Sequence, residues 1–274
     1  QAVSKASHEI ALYGGKPFSG PFYSGEWGAL RALPDHPNWH GVQKFFRTRE
    51  NYDRDGVLSM LTGSAESPLV FSLDHGNGNR WRVERRAISS KEILQASSRG
   101  RGVNPVIFSI ACINAAFDES TVKEEIFSSS EGGDVSVGVA LLQSVSGAVA
   151  YFGEARNAVG SPIYEIDDRG NLELSGSTYT LKLLESAAHA YHDKEEGRLG
   201  DFTLEAFRKY AADPGASISK DRSKWSFFNT NLLGDPVMRF PKRAHKDVSY
   251  PLAQALTEIE AGFAGILPTF DLSS

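Results

Sequence analysis

Ser67-Pro68-Leu69-Val70-Phe71-Ser72-Leu73-Asp74-His75-Gly76-Asn77-Gly78-Asn79 decides how the fold is read. Its first half is an apolar run opened by a proline and too short for an ordinary helix. From Asp74 onward it is turn chemistry, rich in Gly and Asn. The stretch therefore predicts a buried strand running into an exposed loop. Pro105-Val106-Ile107-Phe108-Ser109-Ile110-Ala111 repeats the pattern and ends at Cys112. Gly147-Ala148-Val149-Ala150-Tyr151-Phe152 repeats it again and ends at Gly153.

Helical patterns alternate with these strands. Residues 90–96 predict a short helix with Ser90 as cap. Residues 133–142 mix small and apolar residues as a buried helix does. In residues 177–191, Leu181, Leu184, Ala187, Ala188 and Tyr191 recur at 3–4 spacing, which predicts a surface helix. Residues 202–211 predict another, capped by Asp201 or Thr203. A tight turn is expected at 232–236, a short final strand at 237–240 and a terminal helix at 251–263. Residues 31–56 read as loop plus one helix at 41–49. Strands alternating with helices in this way predict an α/β fold with a mostly parallel central sheet flanked by helices. Sites in such sheets gather at the carboxyl ends of strands, where both His75 and Cys112 stand.

Composition narrows the function. The 274 residues suffice for one large domain. Hydrophobic residues at 41% and charged residues at 23% are ordinary for a globular chain. The formal net charge of −5, with acids and bases interspersed, disfavours a nucleic-acid partner. No apolar run is long enough for a membrane span. The chain opens Gln1-Ala-Val-Ser-Lys without a signal segment, so a removed leader or an excised domain is expected. Its one cysteine, Cys112, excludes an internal disulfide.

A lone cysteine is ordinarily a small buried hydrophobe; beside a base it is a nucleophile. The thiolate is the attacking form, and an unperturbed thiol ionises near about 8.5. A neighbouring imidazole raises the ionised fraction and protonates the departing amine, a contribution of roughly 10²–10⁴-fold. His75 precedes Cys112 by 37 positions (112 − 75), an interval that suits two neighbouring parallel strands joined by one crossover helix. The tetrahedral oxyanion needs donors. Gly76 lets the main chain approach a substrate, so the N–H groups of Gly76 and Cys112 are the candidates.

These residues carry a family resemblance. Ser109-Ile110-Ala111-Cys112-Ile113-Asn114-Ala115-Ala116-Phe117-Asp118 resembles the nucleophile segment of gingipain-like cysteine peptidases, and Leu73-Asp74-His75-Gly76 with Trp81 resembles their His-Gly segment. The strand at 147–153, followed by Arg156 and Gly160-Ser161-Pro162, resembles the strand and loop after the nucleophile. Asn231-Leu232-Leu233-Gly234-Asp235-Pro236 resembles the turn that closes the domain. Together the motifs cover roughly residues 57–240 in the family's order. Ala115-Ala116 departs from it, standing where Gly-Asp is common.

The resemblance implies a three-layer caspase-like domain over residues 1–245 with a helical extension at 246–274. It also implies a secreted or cell-envelope cysteine endopeptidase acting on protein or peptide substrates through a Cys112–His75 dyad. No cofactor is required; a structural calcium ion is an option. Full gingipains have a larger amino-terminal subdomain and often following immunoglobulin-like domains, which are expected to be absent or much shortened here. Gingipains themselves cut after Arg or Lys, and a basic side chain calls for a carboxylate in the pocket. Asp74, Glu154 and Glu26 are the candidates, with Arg156 and Val159 on the loop after the third strand and Trp81 as further pocket residues. A binding module without catalysis and a transpeptidase using the same dyad are the alternatives. His189 and His192, three apart, lack a third ligand and read as a solvated helix face. His36 and His40 read likewise. Trp27, Trp39 and Trp225 read as core or pocket walls.

Overall fold

The structure, a computed structural model, describes residues 10–14, 42–46, 53–59, 61–62, 69–83, 86–96, 104–117, 135–158, 160, 162–166, 168, 172–193, 197–214 and 221–239. In chain order the elements are β1 (Ile10–Gly14), β2 (Val42–Phe46), α1 (Arg54–Ser59), β3 (Leu69–Leu73), β4 (Gly76–Asn77), β5 (Arg80–Val83) and β6 (Arg86–Ser89). There follow α2 (Ser90–Gln95), β7 (Val106–Ile110), α3 (Val137–Gln143), β8 (Ala150–Glu154), β9 (Pro162–Ile166), β10 (Leu172–Ser177), α4 (Tyr179–Asp193), α5 (Leu199–Ala212), α6 (Asp221–Asn229) and β11 (Thr230–Gly234). The expected extension at 246–274 and the helix at 251–263 lie outside the described residues, as do Glu26, His36, His40, Trp27, Trp39 and Val159.

Among the described residues, six strands form one sheet in the order β11-β8-β7-β3-β1-β2. All neighbours run parallel except β11, which runs antiparallel to β8. Strands β3 and β7 are buried at every residue, as their mainly apolar sequences suggest, with Ser72 and Ser109 buried among the apolar side chains. Successive side chains point to opposite faces, and two core clusters result. Leu69, Phe71 and Leu73 of β3, with Phe108 and Phe152, meet Leu181, Leu184 and Ala188 of α4 and Phe202 and Ala206 of α5. Phe71 and Phe108 stack at 5.1 Å between ring centroids, and Phe108 continues to Phe152 at 5.4 Å. On the other face, Val70, Ile107 and Tyr151 meet Trp81, Val83 and Ile88 of a small antiparallel sheet, with Ile93 of α2 and Leu141 of α3. Helices thus cover both faces, as the sequence predicts.

Several local expectations are corrected. Residues 42–46 form strand β2, paired parallel with β1, where a helix is expected. The loop after His75 folds at once into the hairpin β4–β5 and then β6. The crossover to β7 is therefore a three-stranded sheet plus α2. The cap of α2 is Ser89: its side chain accepts from Glu92 N, and Glu92 reaches back to Ser89 N, a closed capping box. Helix α5 begins three residues early, with Asp201 accepting from Arg198 N at 3.3 Å. Helix α4 is buried on nearly every side because α5 and α6 both pack on it. Its Glu185 is buried too, paired with Lys182 at 3.1 Å, and Lys182 pairs with Asp213 at 3.0 Å. Leu232, Leu233 and Gly234 belong to β11, and the turn follows them, with Asp235 Oδ1 accepting from Val237 N at 2.9 Å. Gly234 has φ +131°, and a Cβ there would lie 2.9 Å from the Val149 carbonyl, so glycine is required. The expected strand at 237–240 reduces to a single bridge between Arg198 and Arg239.

Candidate active site

The register between β3 and β7 brings the two key loops together. Leu69 stands opposite Val106 and Leu73 opposite Ile110, a constant offset of 37 (106 − 69; 110 − 73). Asp74 N still donates to Ile110 O at 3.2 Å, so the pairing carries past the strand ends. His75 and Cys112 stand two residues beyond the last pair on each strand and are separated by the same 37 positions. The interval noticed in the sequence is the register of two adjacent parallel strands.

The segment after β7 is a tight turn. Cys112 is half-buried, and its Sγ faces the Ala158 carbonyl at 4.0 Å. Ile113, the next residue, has φ +63°. A β-branched residue in this region carries strain of roughly 1–3 kcal/mol and persists only where the surroundings hold it. They do: Ile113 N donates to Arg156 O at 2.9 Å, Ala115 N donates to Glu154 O at 2.9 Å, and the Ile113 side chain is buried with Ala116. The turn therefore rests along the end of β8. From the other side, Gly138 N of α3 donates to Asn114 O at 2.7 Å.

Asn114 ties the two loops. Its side chain is wholly buried. Three carbonyl oxygens surround the amide end, so the group facing them is the NH₂: Nδ2 lies 2.7 Å from Asn77 O, 3.0 Å from Cys112 O and 3.3 Å from Arg80 O, and its two hydrogens are shared among them. One amide thus holds the β4–β5 hairpin behind His75 to the Cys112 turn. Gly76 accommodates it, since a Cβ there would fall 2.4 Å from the amide end. Asn114 stands inside the nucleophile motif, but nothing in one sequence tells an amide that bridges two loops from one that caps its own turn.

The other predicted residues fall in different places. His75 is exposed, and its carbonyl accepts from Arg82 N at 3.0 Å. Asp74 is 6% exposed and its Oδ1 accepts from His75 N at 2.7 Å, the turn-fixing role. Trp81 is fully buried in the core beneath the hairpin, edge-on to Tyr151. It is a support of the site and not an open wall. Glu154 is the last residue of β8 rather than part of the following loop, and it is fully buried. Asn229 Nδ2 donates to its Oε2 at 2.7 Å, and Thr230 Oγ1 lies 2.6 Å from its Oε1. Burial outweighs these bonds and pushes the carboxyl up to about 8. Arg156 lines an open cavity of about 610 Å³ together with Ala155, Phe117, Trp225, Phe228 and Asn229. Trp225 and Asn229 belong to α6, a helix not among those expected from the sequence. The signal was there in Asp221-Arg222-Ser223-Lys224-Trp225-Ser226-Phe227-Phe228-Asn229, with an acid in the first turn and apolar residues at helical spacing.

His189 is exposed on α4, and the side chain of His192 lies outside the described set. Among the described residues no group of three or more His, Cys, Asp or Glu side chains is placed to hold a metal ion. Among the described residues no helix is long and apolar enough to cross a membrane.

The sheet order, the helical layers and the paired strand-end loops define a caspase-like α/β domain. The complex of Porphyromonas gingivalis RgpB pro- and mature domains shares the fold with a TM-score of 0.53 at 12% identity, over 86% of this chain and 48% of that one. A second solved structure, of a protease, gives 0.52 at 11% identity, over 90% of this chain and 49% of that one. The chain thus spans about half the length of the structures it matches. A search of curated proteins finds no match. Residues 67–241, more than half of the chain, match the family model Peptidase family C25. The chain belongs to that family, the gingipain family of cysteine peptidases, and the resemblance drawn from its motifs is borne out.

Proposed function

We propose that the chain is a cysteine endopeptidase in which Cys112 is the nucleophile and His75 its acid–base partner. The observation that carries this is the register, which leads the chain from two adjacent parallel strands to His75 and Cys112 on facing loops. In the first step the His75 imidazole takes the thiol proton and Cys112 Sγ attacks the peptide carbonyl. The oxyanion meets the backbone N–H groups of Gly76 and Cys112. Because His75 O accepts from Arg82 N, the next pair, Gly76–Trp81, is the non-hydrogen-bonded pair of the ladder, which directs the Gly76 N–H outward. His75 then gives its proton to the departing amine, leaving a thioester. Water, deprotonated by His75, attacks the thioester carbonyl, and the thiolate leaves with the proton returned to it. Residues 1–245 act as the catalytic domain, in a secreted or cell-surface protein as family members are.

With one cysteine in the chain, the test is clean. The folded wild type should hydrolyse a broad protein substrate and incorporate one iodoacetamide per chain with loss of activity. Cys112→Ala should retain the fold and lose turnover. Undiminished hydrolysis by Cys112→Ala would overturn the reading.

A further inference from the structure

Taking the Cys112–His75 dyad as given, we infer that the cavity between the Cys112 turn and α6 is a substrate subsite for a bulky apolar side chain with an acidic neighbour. It belongs to a residue close to the scissile bond.

Position is the first argument. Segment 155–158 runs between the nucleophile and the cavity. On one side the Ala158 carbonyl faces Cys112 Sγ at 4.0 Å. The cavity is lined by Ala155 and Arg156, the latter accepting through its carbonyl from Ile113 N at 2.9 Å. Trp225 of α6 donates through Nε1 to Asn157 O at 2.9 Å, which fixes the indole to the same segment. Segment 155–158 thus meets both the sulfur and the cavity. An extended peptide advances about 3.3–3.6 Å per residue, so a side chain one or two residues from the cut reaches it.

Lining is the second. Phe117, Trp225 and Phe228 are 69%, 46% and 77% exposed, and all three face this one hollow. Exposed apolar residues scattered singly need no explanation, but large rings gathered around a concavity mark a binding site. A volume of about 610 Å³ lies within the usual range for such sites.

Charge is the third. Arg156 and Lys224 line the cavity against one carboxylate, Asp221. The buried Glu154 carboxyl behind Ala155 is engaged by Asn229 and Thr230 and offers no anionic wall. The hollow therefore complements an acidic residue beside the apolar one and disfavours a basic side chain. This separates the subsite from any pocket that reads Arg or Lys.

The test measures binding apart from turnover. A fluorescein-labelled peptide carrying phenylalanine next to aspartate is titrated against Cys112→Ala by anisotropy. Two control peptides replace the phenylalanine by alanine or the aspartate by lysine. Loss of the buried ring should weaken binding roughly 10- to 100-fold, and so should Trp225→Ala or Phe228→Ala in the protein. Phe228→Ala serves if losing the Trp225 bond to Asn157 disturbs the loop. Lys224→Glu should reverse the preference between aspartate and lysine. Equal affinity for all three peptides, unaltered by these substitutions, overturns the subsite. Turnover of the same peptides by the wild type reports the dyad separately: binding as predicted without cleavage refutes the dyad and keeps the subsite, while cleavage indifferent to ring and charge does the opposite.

Discussion

Glu154→Gln replaces a buried carboxyl with an amide of the same shape, and its effect on stability is expected to depend on pH. Thr230 Oγ1 lies 2.6 Å from Glu154 Oε1 and 2.8 Å from Ser226 O. A hydroxyl has one proton. If Thr230 gives it to Ser226 O, the shorter contact needs a donor from Glu154, so a protonated carboxyl satisfies both. Asn229 Nδ2 supplies the second oxygen. Glutamine reproduces this pattern, its Nε2 toward Thr230 and its Oε1 toward Asn229. The folded carboxyl titrates near 8 and the unfolded one near 4.5. Well below pH 4.5 both states are protonated, and wild type and variant should be equally stable. As pH rises the unfolded chain releases its proton while the fold holds it, so wild-type stability falls relative to Gln until the folded group also ionises. At about 1.36 kcal/mol per unit, the deficit grows to about 3 kcal/mol at pH 7 and about 5 kcal/mol by pH 9. Urea unfolding followed by tryptophan fluorescence, both proteins at each pH, measures the difference while other titrations cancel. A difference independent of pH, or a wild type that gains on the variant as pH rises, refutes the reasoning.

Two further substitutions probe the bridge between the loops. Gly76→Ala sets a Cβ 2.4 Å from the Asn114 amide. The amide is held by three carbonyls and cannot move cheaply, so peptide turnover should fall on the order of 100-fold, the scale of a small misplacement at a reacting centre, with the circular dichroism spectrum retained. Asn114→Asp replaces the NH₂ that faces three carbonyl oxygens by a group that only accepts when ionised. Thermal unfolding should show a loss of roughly 1–3 kcal/mol or more, with Asn114→Ala less damaging, since unpaired buried acceptors cost less than a buried charge set against them.

What the sequence makes legible is what local pattern controls. Leu69–Leu73 and Val106–Ile110 are short runs in which four of five residues are apolar, Ser72 and Ser109 being the exceptions, and such runs bounded by turn residues suit a strand buried on both faces. Their separation of 37 then becomes the register that links His75 to Cys112. Val42–Phe46 misleads because Val-Gln-Lys-Phe-Phe suits a helix or an edge strand equally; its pairing with β1, far away in sequence, decides it. Helix α4 shows one apolar stripe, yet tertiary packing buries its polar side too by pairing Lys182 with Glu185 and Asp213. The pocket was least legible. Glu154 reads as a loop carboxylate because Gly153 reads as a strand end, but β8 runs one residue further and takes Glu154 inside. Asn114 and Trp225 act through carbonyls distant in sequence, at Asn77, Arg80 and Asn157, and a single chain of letters carries no mark of such contacts.

The central claim is that His75 activates Cys112, and the rate of carboxymethylation at the chain's one thiol measures it directly. Rates are read across pH 4–10 for the wild type and for His75→Ala. The account predicts a wild-type profile with a reactive thiolate well below the ordinary thiol range near about 8.5, and a His75→Ala profile returned to that range. Superimposable profiles for the two proteins would contradict it.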